Sequence, residues 1–171
     1  FTWDQMLDEC WSIDLIGFGY DSSQGLPGNV DDPAHPRLSD FQDTSQFLLS
    51  PRLIGKGDDW RFQGFYSRSE DRLESTTSGA HNDFQTASDQ VELQYEHEFG
   101  ESLSALAGVS YFRQEFLKAN LVSERIEVDD GWSNRAMFGL IGFNLYERLE
   151  ILLGGRAESY SDFRSPETWT F

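Results

Sequence analysis

The sequence predicts an all-β fold: an antiparallel, up-and-down segment of a transmembrane β-barrel, with short periplasmic turns and long extracellular loops. Three observations predict it. Apolar and polar residues alternate with a period of two over several stretches, the connections alternate between short and long, and aromatic residues gather near strand ends. The chain of 171 residues is the length of one domain. We treat 1–171 as one barrel segment of about seven strands.

Composition excludes several classes of protein. The formal net charge of −17 argues against a nucleic-acid partner, because phosphates require a basic patch. Fourteen Phe, six Tyr and five Trp are too many for a disordered acidic segment. Cys10 is the single cysteine, so the sequence predicts no intrachain disulfide and no multi-cysteine metal site.

The first third of the chain contains two predicted strands. For residues 1–9 the sequence predicts either a short helical turn or the end of a preceding strand. For residues 11–20 it predicts a strand. Residues 21–43 are rich in Gly, Pro, Ser and Asp, which predicts a long loop. Residues 44–54 predict the next strand, although Pro51 removes one ladder hydrogen bond and usually marks an edge strand or a bulge.

The rest of the chain repeats a strand–turn–strand unit. In its clearest strand, Val91 and Leu93 fall on one face while Glu92 and Glu96 fall on the other. The predicted strands are 60–66, 90–99, 103–111, 134–145 and 149–158, with 168–171 as the possible start of an eighth.

The lengths of the connections favour a barrel over a soluble sandwich. Short turns are predicted at one end of the sheet, near 55–59, 100–101 and 146–148, and long loops at the other end, at 21–43, 69–88 and 116–133. Outer-membrane barrels keep this rule.

Aromatic residues near the two ends predict two interfacial girdles, although core packing is the alternative for each residue taken singly. They are Trp60, Phe99 and Tyr146 near the short turns, and Tyr66, Tyr111, Phe112, Trp132 and Tyr160 near the loops.

The polar faces of the strands carry charges that a dry core would not accept unpaired. These faces therefore meet bulk water or a wet interior. On the barrel interpretation the predicted lumen-lining residues are Arg52, Arg61, Gln90, Glu92, Gln94, Glu96, Glu150, Arg156 and Glu158.

No catalytic residue, metal site or cofactor is predicted, and we expect no enzyme activity. His97 lacks the H-E-x-x-H spacing of zinc peptidases. Glu92 and Glu96 share a face, and paired carboxylates serve glycoside hydrolysis, but a wet wall is the simpler explanation of a strand with so many polar residues.

One segment resembles a known family. Residues 135–160 read Arg-Ala-Met-Phe-Gly-Leu-Ile-Gly-Phe-Asn-Leu-Tyr-Glu-Arg-Leu-Glu-Ile-Leu-Leu-Gly-Gly-Arg-Ala-Glu-Ser-Tyr. This resembles a barrel hairpin of the TonB-dependent outer-membrane transporters, where an Arg-Leu turn precedes a strand of the pattern apolar-Thr-apolar-Thr-Ala-Gly-apolar-Arg-Tyr. Glu150 and Leu152 replace the threonines of that pattern, whereas Gly154 and Arg156 match it.

The resemblance extends over 45–160 and implies a location in the bacterial outer membrane, in contact with its lipid. It implies uptake of a scarce nutrient, such as a ferric siderophore, cobalamin or a glycan. It also implies a barrel of about twenty-two strands, a plug domain and the partner TonB, but this chain contains neither a plug nor a TonB box. The chain is therefore an excerpt of a longer barrel, a segment that pairs with others, or a small barrel of about eight strands.

The alternative is a soluble all-β domain, a jelly roll that binds or acts on carbohydrate. The apolar face distinguishes the two interpretations. In the jelly roll it is buried against a second sheet, whereas in the barrel it is outermost and meets lipid.

Overall fold

The computed structural model describes residues 1–25, 41–77, 80–121, 125–145, 149–161 and 168–170. Within them, nine strands form one antiparallel sheet in which every strand pairs with its neighbours in sequence. The strands are β1 (Thr2–Met6), β2 (Trp11–Gly25), β3 (Phe41–Lys56), β4 (Trp60–Thr77), β5 (Ala80–Glu98), β6 (Leu103–Asn120), β7 (Arg125–Leu145), β8 (Leu149–Tyr160) and β9 (Thr168–Thr170). The all-β, up-and-down prediction is confirmed. The sheet is open, with β1 and β9 at its two edges.

The pairing registers confirm the predicted division into two faces. Residues that lie opposite each other on neighbouring strands point to the same side of the sheet, and we call each such set a row. One side, here named the apolar face, carries Trp11, Ile13, Leu53, Phe62, Leu93, Val109, Met137, Ile151 and Leu153. The opposite side is named the polar face.

The apolar face changes character partway along the strands. In β5 its side chains run from His97 to Val91 through Tyr95 and Leu93, and beyond Val91 the next residue on this face is Asp89. The row of Val91 contains Tyr66, Tyr111 and Arg135, and it marks the boundary. On one side of this row lies an apolar band, and on the other side lies a charged band.

Two of the three predicted long loops are wrong, because most of their residues form strands. The 69–88 segment belongs to β4 and β5, which are separated by two residues, and most of 116–133 belongs to β6 and β7. The 69–88 segment lacks apolar alternation because both of its faces are mostly polar, and it extends as strands because ladder bonds and polar contacts hold it. Ser69 and Ser88 form one such contact, with their hydroxyl oxygens 2.7 Å apart. In the predicted loop 21–43, β2 continues to Gly25 and β3 starts at Phe41, while 26–40 lie outside the described residues.

The ends of the chain add strands to the predicted count of about seven. The strand alternative for residues 1–9 is confirmed by β1, which pairs with β2 from Thr2 opposite Ile16 to Met6 opposite Ser12. The possible eighth strand is confirmed as β9, which pairs with β8.

Pro51 lies in an interior strand, so the expectation of an edge strand is wrong. The β2–β3 register includes Ser50 and Pro51, whereas the β3–β4 register passes from Leu49 to Arg52. The ladder is therefore interrupted on the β4 side only. There the Ser50 hydroxyl donates a hydrogen bond of 3.2 Å to the Tyr66 carbonyl, which replaces the N–H that proline lacks.

The sheet has no second layer in the described part of the chain. Ala136, at 7% exposure, is the only buried apolar side chain there. The accessible surface is 12465 Å², whereas a compact monomer of this mass exposes about 8,600 Å². The strand order also differs from a jelly roll, whose Greek-key connections place sequence neighbours apart. No helix among the described residues is long and apolar enough to cross a membrane.

Candidate functional site

All nine predicted lumen-lining residues lie on the polar face. Arg52, Glu92 and Glu158 share one row across the sheet, and Gln94 and Arg156 share the next. Arg61 and Glu96 lie directly opposite each other in a third row. Gln90 lies on the side of Glu92 away from the short turns, and Glu150 lies beside the 146–148 connection, opposite Asn144. The structure thus brings residues from four strands onto one surface.

Charges of opposite sign lie opposite each other on this face. Asp14 of β2 lies opposite Arg52, and Glu96 lies opposite Arg61. Arg156 contacts Glu158 within β8. Cross-strand pairs of this kind contribute about 0.2–1 kcal/mol each. The arrangement makes a polar wall of mixed charge.

The polar face also contains an apolar patch that the sequence analysis did not predict. Leu106, Phe138, Leu140 and Leu152 lie on it, and Leu152 is 49% exposed. Each of these residues has an apolar sequence neighbour on the opposite face, so no period of two singles them out. The missed signal is the unbroken apolar stretch around Leu140.

The predicted girdle residues do not all lie on the apolar face, as a girdle requires. Trp60, Tyr66 and Tyr111 lie on the apolar face, and Tyr146 lies outside the described residues. The other three predicted girdle residues of the loop end lie on the polar face. They are Phe112, Trp132 and Tyr160.

These three residues form a contiguous surface that we name the aromatic platform. They come from three consecutive strands, β6, β7 and β8. The ring centroids of Phe112 and Trp132 are 5.0 Å apart, with an interplanar angle of 46°. Those of Trp132 and Tyr160 are 6.3 Å apart, with an angle of 29°. All three side chains are half-buried.

Polar groups surround the aromatic platform. The indole N–H of Trp132 donates a 3.0 Å hydrogen bond to the Gln114 side chain. The Tyr160 hydroxyl donates a 2.6 Å hydrogen bond to Glu158. Asn134 lies directly between Phe112 and Tyr160 in one row, and its buried Oδ1 accepts no hydrogen bond from the described residues.

A second polar cluster lies in the charged band of the apolar face. Arg72 donates two hydrogen bonds of 3.0 Å to Asp83, which is 3% exposed, and Gln85 donates a third of 2.7 Å. Burial alone would raise the pKa of Asp83, but the bonds from Arg72 and Gln85 hold it below its ordinary value. The sequence analysis missed this cluster because it treated 69–88 as a loop. The alternation of Arg68, Glu70, Arg72 and Glu74 is the signal that could have found it.

Comparison with known proteins does not assign this chain to a family. It matches no protein-family model, and a search of curated proteins finds no match. The resemblance to TonB-dependent transporters therefore rests on the strand pattern. Among the described residues, no three His, Cys, Asp or Glu side chains are grouped so that they could hold a metal ion.

Proposed function

We propose that this chain is part of the wall of a bacterial outer-membrane β-barrel that takes up a scarce nutrient, in the manner of the TonB-dependent transporters. The apolar face meets the membrane lipid, and the polar face lines an aqueous lumen. A plug domain and TonB are the partners that this class of transporter requires. The nutrient is of the kind that such transporters carry, for example a ferric siderophore.

The exposure of the apolar band carries the proposal. Leu93, Val109 and Leu153 are 43%, 50% and 49% exposed, and Met137 is 65% exposed. Exposing a continuous apolar band to water costs about 25 cal/mol for each Å² of apolar surface. Burial of the band in lipid removes this cost. Large exposed apolar patches mark interaction sites with a membrane or a protein.

The dimensions and limits of the band fit a bilayer. The band extends over residues 91–98 in β5, which corresponds to about 20 Å across the membrane at ~3.3 Å per residue and the tilt typical of outer-membrane barrels. Tyr66 and Tyr111 lie at one border and Trp60 at the other. Aromatic residues favour the interface because they present both an apolar ring and a polar group.

Spin labels along one strand test this proposal. Cys10 is exposed and is first replaced by Ser; single cysteines at positions 91–96 then carry a nitroxide in the full chain, reconstituted in phosphatidylcholine vesicles. We expect lipid-soluble oxygen to relax the labels at 91, 93 and 95. A water-soluble nickel chelate should relax those at 92, 94 and 96, because successive side chains point to opposite faces.

The same experiment separates the barrel from a soluble sandwich. In a sandwich, the labels at 91, 93 and 95 would be shielded from both relaxing agents, because a second sheet would cover them. Such a result would exclude the membrane-facing role, as would equal access of the nickel chelate to all six positions.

A further inference from the structure

A barrel wall does not need an aromatic cluster on its polar face, so the proposed role leaves the aromatic platform unexplained. We propose that it is a binding site for a neutral carbohydrate. The inference rests on the register and the ring contacts of β6, β7 and β8, so it stands whether or not the apolar face meets lipid.

The position of the platform distinguishes it from core packing. The neighbouring residues of the same strands on the polar face are small or polar, namely Ser110, Gln114, Asp130, Ala136 and Glu158, with Phe116 opposite Asp130 as the exception. An interior aromatic cluster would instead have apolar neighbours above and beside it. The three rings therefore lie half-exposed on a mostly polar surface, where a ligand can reach them.

Amide and hydroxyl groups around the rings match the chemistry of a sugar. The Gln114 bond holds the Trp132 indole in place. The Asn134 side-chain amide lies between two rings in the row, and its Oδ1 accepts no hydrogen bond from the described residues. Gln90, directly opposite Phe112, adds a third amide. Side-chain amides offer both donors and acceptors, which is what a ring of hydroxyl groups requires.

The local charge favours a neutral ligand over an anionic one. Arg156 and Glu158 contact each other, so this pair adds no net charge. Glu92 lies in the row of Glu158, and that row carries one cation, Arg52 on β3, so it has no positive excess. A negatively charged ferric chelate would need an excess of arginine or lysine here. The weakly positive C–H face of a sugar ring instead suits the negative face of an aromatic ring.

Calorimetric titration of the full chain tests the proposal. The probes are maltohexaose, cellohexaose and xylohexaose, and the detergent is lauryldimethylamine oxide, because glucoside and maltoside detergents carry sugars that would compete. We expect saturable binding of at least one hexasaccharide. Phe112→Ala and Trp132→Ala should each weaken it by roughly tenfold or more, the loss typical of removing a central aromatic contact.

Tyr111→Ala is the matched control. Tyr111 precedes Phe112 in β6 but lies on the apolar face, so its removal should leave sugar binding unchanged. Trp132→Phe decides the question if Trp132→Ala does not fold, because it keeps a ring but loses the N–H that bonds to Gln114. We expect this variant to bind the sugar several-fold more weakly.

Three outcomes would overturn the proposal. They are no saturable heat with any of the hexasaccharides, equal losses in the Tyr111 and Phe112 variants, and Trp132-dependent binding of a ferric tris-catecholate in place of sugar. None of them bears on the membrane-facing role, which the spin-label pattern tests separately.

Discussion

Neighbouring residues with the same chemistry have different environments in this sheet. Leu152 and Leu153 are adjacent in β8 and equally exposed, at 49% each. Leu152 belongs to the row of Gly142 on the polar face, and Leu153 belongs to the row of Ile141 on the apolar face. The proposed role gives the first a hydrated surface and the second the interior of a bilayer.

This pair gives a prediction with an internal control. Leu153→Arg should lower the free energy of unfolding by about 2–4 kcal/mol if the residue lies near the bilayer midplane, because the charge must leave water. Leu152→Arg should change it by about 0.5 kcal/mol or less, as expected for a solvated surface position. Urea unfolding of the full chain in phosphatidylcholine vesicles measures both. Equal losses in the two variants would contradict the assignment of the faces.

At the scale of the strands, period-two patterns predicted the faces but not the strand ends. The alternation of β5 and β8 is strong because one face is apolar, so their faces were predictable. In 69–88 charged residues such as Arg72 alternate with small polar residues such as Ser69. This segment therefore has no hydrophobic pattern with a period of two. The strands continue there because Asp83 and Arg72 pair across the ladder, a contact between residues that only the register brings together.

The aromatic residues of the loop end show the same limit. Tyr111 and Phe112 are adjacent, so a strand through both must place them on opposite faces, and this signal was available in the sequence. Trp132 lay in a predicted loop, where no face can be assigned. Its contact with Phe112 depends on the pairing of β6 with β7.

The interrupted ladder at Pro51 gives a prediction for the β3–β4 pair. Ser50→Ala should lower the free energy of unfolding by about 1 kcal/mol, because the Tyr66 carbonyl loses the hydroxyl that donates to it. In a Pro51→Ala background the same substitution should have almost no effect, because the introduced alanine supplies a backbone N–H to the ladder. A double-mutant cycle measured by urea unfolding checks this. Additive effects would show that the hydroxyl does not replace the missing donor.

At the scale of the whole molecule, one open sheet leaves apolar residues on its surface from β1 to β8. Soluble domains bury such residues between two layers. An open sheet also leaves unpaired backbone groups at β1 and β9, which promote edge-to-edge association. In the proposed role, lipid covers the apolar band and further strands of the barrel pair with the edges.

Detergent dependence follows from this surface. Without detergent the purified chain should aggregate despite its net charge of −17, because association is the only way to cover the apolar band. In lauryldimethylamine oxide it should give one monodisperse species with a β-sheet circular dichroism spectrum. Size-exclusion chromatography with light scattering checks both conditions. A folded, monodisperse monomer in detergent-free buffer is the outcome that the membrane-facing role does not allow.

The sequence by itself determined that the chain is all-β and which side chains share a face within each apolar strand, because alternation is a local property of an extended backbone. Only the tertiary structure decided how far the polar strands extend and that Phe112, Trp132 and Tyr160 meet on the polar face. The physical reason is that these features depend on which residues lie opposite each other on neighbouring strands. Register is set by pairing between distant parts of the chain, which no local pattern contains.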